Sequence, residues 1–88
     1  MKTANEMRAY TDECFAVIME DAKAYADRFI EETASPIVEE FASKGCYTVQ
    51  FLFNVSDLTE YEMTAIRDKL YDLGYLCEFK GESIKITW

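Results

Sequence analysis

The spacing of apolar positions changes period along the chain, and each change marks an element. Met7, Cys14, Ile18, Ala22, Tyr25 and Phe29 recur on one stripe at about 100° per residue, the signature of an amphipathic helix. Glu6, Glu13, Glu20 and Asp27 lie on the opposite side at heptad spacing, with Glu31 close to the same line. Thr3 to Glu6 has the spacing of a capping box, and no glycine or proline follows until Pro36. An unbroken helix from Ala4 to about Thr33 would span roughly 45 Å at 1.5 Å per residue. That exceeds the width of a small domain, so the helix must overhang, bend or pack on something else, and a second copy is the simplest partner. Phe15, Met19 and Ala26 widen the stripe on one flank. They either serve self-association or complete a broad core face.

Ser35-Pro36 is expected to stop this helix and start a shorter one, Pro36 to Lys44. Proline disfavours helical geometry in the residue before it and suits the first helical position, with Ser35 as N-cap. Ile37, Val38 and Phe41 should face inward, and Gly45 should cap the end. The period then drops to two. From Cys46 to Val55, Tyr47, Val49, Phe51, Phe53 and Val55 alternate with Thr48, Gln50, Leu52 and Asn54. Ser56-Asp57 and Thr59 to Glu62 offer two helix starts, the second a capping box. Met63, Ile66, Leu70 and Leu73 form the buried stripe of that helix, and Gly74 ends it.

The clearest signal is Gly74 to Trp88. Two period-two runs flank Gly81-Glu82, a two-residue turn with glycine in the first central position. The turn fixes the register: Lys80 opposite Ser83, Phe79 opposite Ile84, Cys77 opposite Ile86 and Tyr75 opposite Trp88. Glu78 then meets Lys85 on the outer face, so apolar pairs share one side and an opposite-charge pair the other. The fold class is α+β in the order ααβαββ, an antiparallel three-stranded sheet with helices on one face and a long N-terminal helix. The 88 residues form a single domain: helix to 34, short helix 35–45, and a β-α-β-β unit 46–88. The last strand should lie in the centre; the rival order sets the first two strands side by side and parallel.

Charge narrows the partners. Seventeen acidic residues against nine basic ones give a net charge of −8. This disfavours direct binding to nucleic acid or an anionic membrane and suits a basic protein. No stretch has the length of a signal peptide or membrane span, and Cys14, Cys46 and Cys77 are too widely spaced for a metal motif, so the expected location is the cytoplasm. Without histidine the commonest general base is missing, and the glycines are taken up by caps and a turn. The expectation is a protein that is not an enzyme and needs no cofactor or metal. Glu6, Glu13, Glu20, Asp27 and Glu31 are the candidate contact surface, because a rod of carboxylates can imitate a phosphate backbone; the bland reading is a wet helix face. Tyr61 and Tyr71, beside the stripe of their helix, and Trp88 are lesser candidates; the readier reading is that the tyrosines cover core edges and that Trp88 plugs the core against Tyr75.

The finish from Gly74-Tyr75 through Ile84, Ile86 and Trp88, with the earlier helix closing at Phe41 to Gly45, resembles small proteins encoded by phages and prophages of Gram-positive hosts. The resemblance covers about half the chain and carries no catalytic residue across. It implies phage origin and, by analogy of class, a binder that blocks a host defence or nucleic-acid-processing complex, as anti-CRISPR proteins do. The alternative is a self-assembling structural or regulatory phage protein.

Overall fold

The computed structural model describes all residues, Met1–Trp88. Its elements are α1 (Ala4–Phe29), a π-helical segment (Ile30–Ala34), α2 (Ser35–Ser43), β1 (Thr48–Leu52), a 3₁₀ turn (Val55–Asp57), α3 (Glu60–Asp72), β2 (Leu76–Lys80) and β3 (Ser83–Thr87). Strand order is β1-β3-β2, antiparallel throughout, with the last strand in the centre. The hairpin register follows the alternation: Cys77 pairs with Ile86, Glu78 with Lys85, Phe79 with Ile84 and Lys80 with Ser83. Tyr75 and Trp88 lie beyond the ladder, but their rings meet edge to face at 6.5 Å.

The break expected at Pro36 does not occur. Ser35 is helical, not an N-cap, and the chain runs as one rod from α1 through α2. The passage past proline is made by the π segment, in which the Ser35 N–H donates to the Ile30 carbonyl five residues back. Pro36 has no N–H to give, and its ring would crowd the preceding turn of a regular α-helix. A wider turn relieves both problems. It also resets the phase of the buried face. In an unbroken α-helix Ala34 would point about 80° from Ala26 and about 140° from Phe29, and Val38 about 120° and about 180° from them. The extra residue turns them back by about 100°, and all four enter one core.

That core lies between the rod, α3 and the inner face of the sheet. Ile66, Ile84 and Ile86 are its largest fully buried side chains. α3 runs in the same sense as the rod. Phe15 meets Tyr61 near the start of α3, Asp27 meets Lys69 further along, and Ile30, Ala34 and Val38 approach Leu70 and Leu73. Thr59 makes a full capping box with Glu62, so α3 starts at the second of the two expected sites. The first, Ser56-Asp57, lies in the 3₁₀ turn.

Gly45 and Gly74 close their helices alike. Gly74 (φ +93°) lets its N–H reach the Tyr71 carbonyl and the Tyr75 N–H reach that of Leu70, and Gly45 and Cys46 repeat the pattern on Ala42 and Phe41. Two side chains depart from the sequence reading. Leu73, expected in the core, is half exposed because it is the C-cap, where the chain leaves the helix. Tyr47, expected on the apolar face, precedes β1 in a bend and is 75% exposed, although its carbonyl accepts from the Trp88 N–H.

Candidate functional site

Glu6, Glu13, Glu20, Asp27 and Glu31 are all exposed. By helical projection Glu6, Glu13 and Glu20 face away from the core line of Ala22, Ala26 and Phe29. Asp27 stands slightly apart from them, with Oδ1 3.8 Å from the Lys69 Nζ of α3. The acidic line therefore begins free on the projecting half of the rod and ends against the globular half.

The rod projects because α3 is much the shorter helix. The molecule measures 59 × 23 × 18 Å, and its long dimension is the length of the rod. Every residue from Met1 to Glu13 is exposed, and Met7, Tyr10, Val17 and Ile18 are 45, 53, 57 and 44% exposed. Met7 and Ile18 belong to the apolar stripe read from the sequence, continued past the end of the core, and Tyr10 and Val17 lie beside it. Thr3 caps the free end by accepting from the Glu6 N–H at 3.3 Å, and Lys2 Nζ sits 4.9 Å from the Tyr10 ring centre.

The three positions suggested for self-association lie on the other flank, toward α3. Ala26 is in the core, Met19 is half-buried, and Phe15, though 49% exposed, stacks edge to face on Tyr61 at 5.8 Å. Of the three, only Ala26 belongs to the core; Met19 and Phe15 lie beside α3 outside it. Met19, Lys23, Ala26 and Asp27 line one wall of a groove against Thr64, Ala65, Asp68 and Lys69 of α3. It mixes charges of both signs and holds no buried polar atom without a partner. Nothing in it resembles a nucleophile beside a base.

Cys14, Cys46 and Cys77 are free thiols, each half-buried. Burial is the main cause that pushes the Cys77 thiol up to about 11, with Arg67 opposing and Glu78 adding to the rise. A thiol held protonated is a poor nucleophile. Burial likewise raises the Tyr25 hydroxyl, with Glu62 adding to the effect. No group of three or more His, Cys, Asp or Glu side chains is placed to hold a metal ion, and no helix is long and apolar enough to cross a membrane.

The overhang that the length of the helix allowed is present, since the thirteen residues of α3 do not cover the twenty-six of α1. The sequence did not show which end of the stripe would stay bare. The outer sheet face is polar apart from Leu52 and Leu76 at its corners, 85 and 59% exposed. Comparison with protein-family models, curated proteins and solved structures returned no match.

Proposed function

We propose that this chain is a non-enzymatic, protein-binding accessory protein of a phage or prophage. It acts in the host cytoplasm on a basic partner, such as a host defence or nucleic-acid-processing complex, in the manner of an anti-CRISPR protein. The supporting observation is the exposed row Glu6, Glu13 and Glu20 on a rod that stands clear of its own domain. Neighbours in that row are about 10 Å apart along the axis. A row so spaced can enter a groove built for a phosphate backbone, which a compact acidic domain could not reach into.

The test is affinity capture from nuclease-treated bacterial lysate with tagged wild type and the Glu13→Lys/Glu20→Lys variant. The reading expects the wild type to retain one nucleic-acid-binding complex and the variant to lose it, with wild-type capture weakening as salt rises. Capture that is indifferent to both charge reversals and to salt would end the acidic-face reading.

A further inference from the structure

The sheet has two free edges, and they are built differently. On β2 the edge is guarded: Glu78 and Lys80 pair at 3.4 Å on the strand itself, and the Arg67 guanidinium stands 5.3 Å from the Phe79 ring centre. Charges on an edge strand are a usual means of keeping other chains off it. β1 has no such guard. It lies in the longest uncharged stretch of the chain, Gly45 to Ser56, twelve residues where no other stretch exceeds six. It holds no proline and its register has no bulge, and Tyr47 and Leu52, 75 and 85% exposed, bracket it.

The hydrogen-bond pattern shows what this edge offers. The Trp88 N–H donates to the Tyr47 carbonyl and the Phe53 N–H to that of Glu82. With Thr48 opposite Thr87 and Leu52 opposite Ser83, the residues of β1 that turn their backbone to β3 are Val49 and Phe51. Thr48, Gln50 and Leu52 therefore turn three N–H and three C=O groups outward along one line. Phe51 is only half-buried although Ile84 beside it is fully buried, so the flank of its ring toward the edge is bare as well.

We propose that this edge takes up an extended segment of a partner protein as a fourth strand. Side chains at every second position of the segment are apolar and lie beside Val49 and Phe51; the others lie beside Thr48, Gln50 and Leu52 in water. Charge makes those others basic in preference to acidic. The chain carries −8, and the hollow at the Leu52 end of the edge is lined by Glu82 with Phe53 and Asn54. The inference does not rest on the acidic row of the rod, none of which lies on β1.

A second copy does not fit this edge. The rod runs along β1, with the Phe29 ring 4.9 Å from that of Phe53 at one end and the Phe41 carbonyl accepting from the Cys46 N–H at the other, while α3 packs on β2. β1 and β2 are two strand spacings apart, about 10 Å, which is also the separation of packed helices. Each helix therefore lies close to its own edge strand. Two copies joined edge to edge would bring their rods to about 5 Å, half of what two helices need. A segment with no helix of its own meets no such obstacle.

The test is amide exchange by nuclear magnetic resonance, with an eight-residue peptide that alternates valine and threonine between terminal lysines as the probe. In the free chain the Thr48, Gln50 and Leu52 amides should exchange fast. At about 1 mM peptide, a concentration suited to so small an interface, they should slow at least about tenfold. Gln50→Pro removes the middle outward donor and no bond to β3, a position where edge strands tolerate proline, and should weaken binding at least about tenfold. Leu52→Lys, at an exposed site, adds the charge this edge lacks and should weaken it about threefold at low salt, as should glutamates in place of the terminal lysines. No protection at that concentration, protection of Cys77 and Phe79 on β2 instead, or binding indifferent to both variants would overturn the proposal. Protection of Thr48, Gln50 and Leu52 that grows with protein concentration in the absence of peptide would make a second copy the occupant and overturn it too.

Discussion

Replacing Ile86 by alanine tests the core most directly. Ile86 is fully buried at the middle of β3, with Val49 opposite it on β1 and Cys77 opposite it on β2. It is the point at which the three strands and the layer of helices meet. The substitution removes three carbons, and at about 0.8 kcal/mol per buried methylene the transfer loss is about 2.4 kcal/mol. If half of the vacated volume stays open, some 40 Å³, the cavity adds about 1 kcal/mol. The sum, about 3.5 kcal/mol, is a large part of the roughly 4–13 kcal/mol that a chain of this size has in total. Urea denaturation at 25 °C, followed by circular dichroism at 222 nm, reads the loss as a lower midpoint with little change in slope. Leu52→Ala is the comparator, because Leu52 is 85% exposed on the other face of the same sheet. It should shift stability by no more than about 0.5 kcal/mol. An Ile86→Ala loss below about 1 kcal/mol, or one no larger than that of Leu52→Ala, would refute the assignment of the inner face.

Cys77 links stability to alkaline pH. Its thiol is raised to about 11 in the fold from an ordinary value of 9.0, so the folded state holds the proton more tightly than the unfolded chain. Its contribution is complete below pH 9 and is lost as pH rises from 9 to 11; urea midpoints for wild type should fall across that window more steeply than those for Cys77→Ala. Gly74→Ala should cost about 1–2 kcal/mol, because φ there is +93° and alanine is strained at positive φ, and thermal melts will show it. At low micromolar concentration, amide exchange should be fast from Ala4 to about Cys14 and slow in α3 around Ile66 and Leu70. A helix of that length with no tertiary cover is marginal in water; protection of the tip equal to that of α3 in dilute monomer would contradict this.

Where a residue's neighbours in sequence decide its environment, the fold could be read in advance. The hairpin was legible to the residue because a two-residue turn leaves one register, and only that register puts Phe79 on Ile84 and Glu78 on Lys85. The capping box of Thr59 and Glu62 is equally local. Pro36 misled because its local preference was outweighed from a distance. Ala34 and Val38 gain burial against α3 and the sheet only if the helix continues, and the π segment makes continuation possible. The trace of this in the sequence is a step of five between Phe29 and Ala34, where a regular helix would step three or four. Of the site, the acidic row was legible as a pattern, since charge and spacing suffice to find it. Which part of the apolar stripe lies bare was not, because that depends on where α3 begins along the rod.

The position of β3 governs how the chain can fold as it is made. β1 and β2 touch only through β3, which is synthesised after both. While a ribosome is still adding Ser83–Thr87, neither earlier strand has its ladder partner, and Ile66 and Leu70 on α3 lack the Ile84 and Ile86 that complete their surroundings. The rod forms early because its contacts are local; the sheet must wait. A nascent chain stalled before residue 83 should thus be helical, sticky and protease-sensitive. Release of the last strand would convert it in one cooperative step, so folding of the globular half is timed to the end of synthesis of this segment.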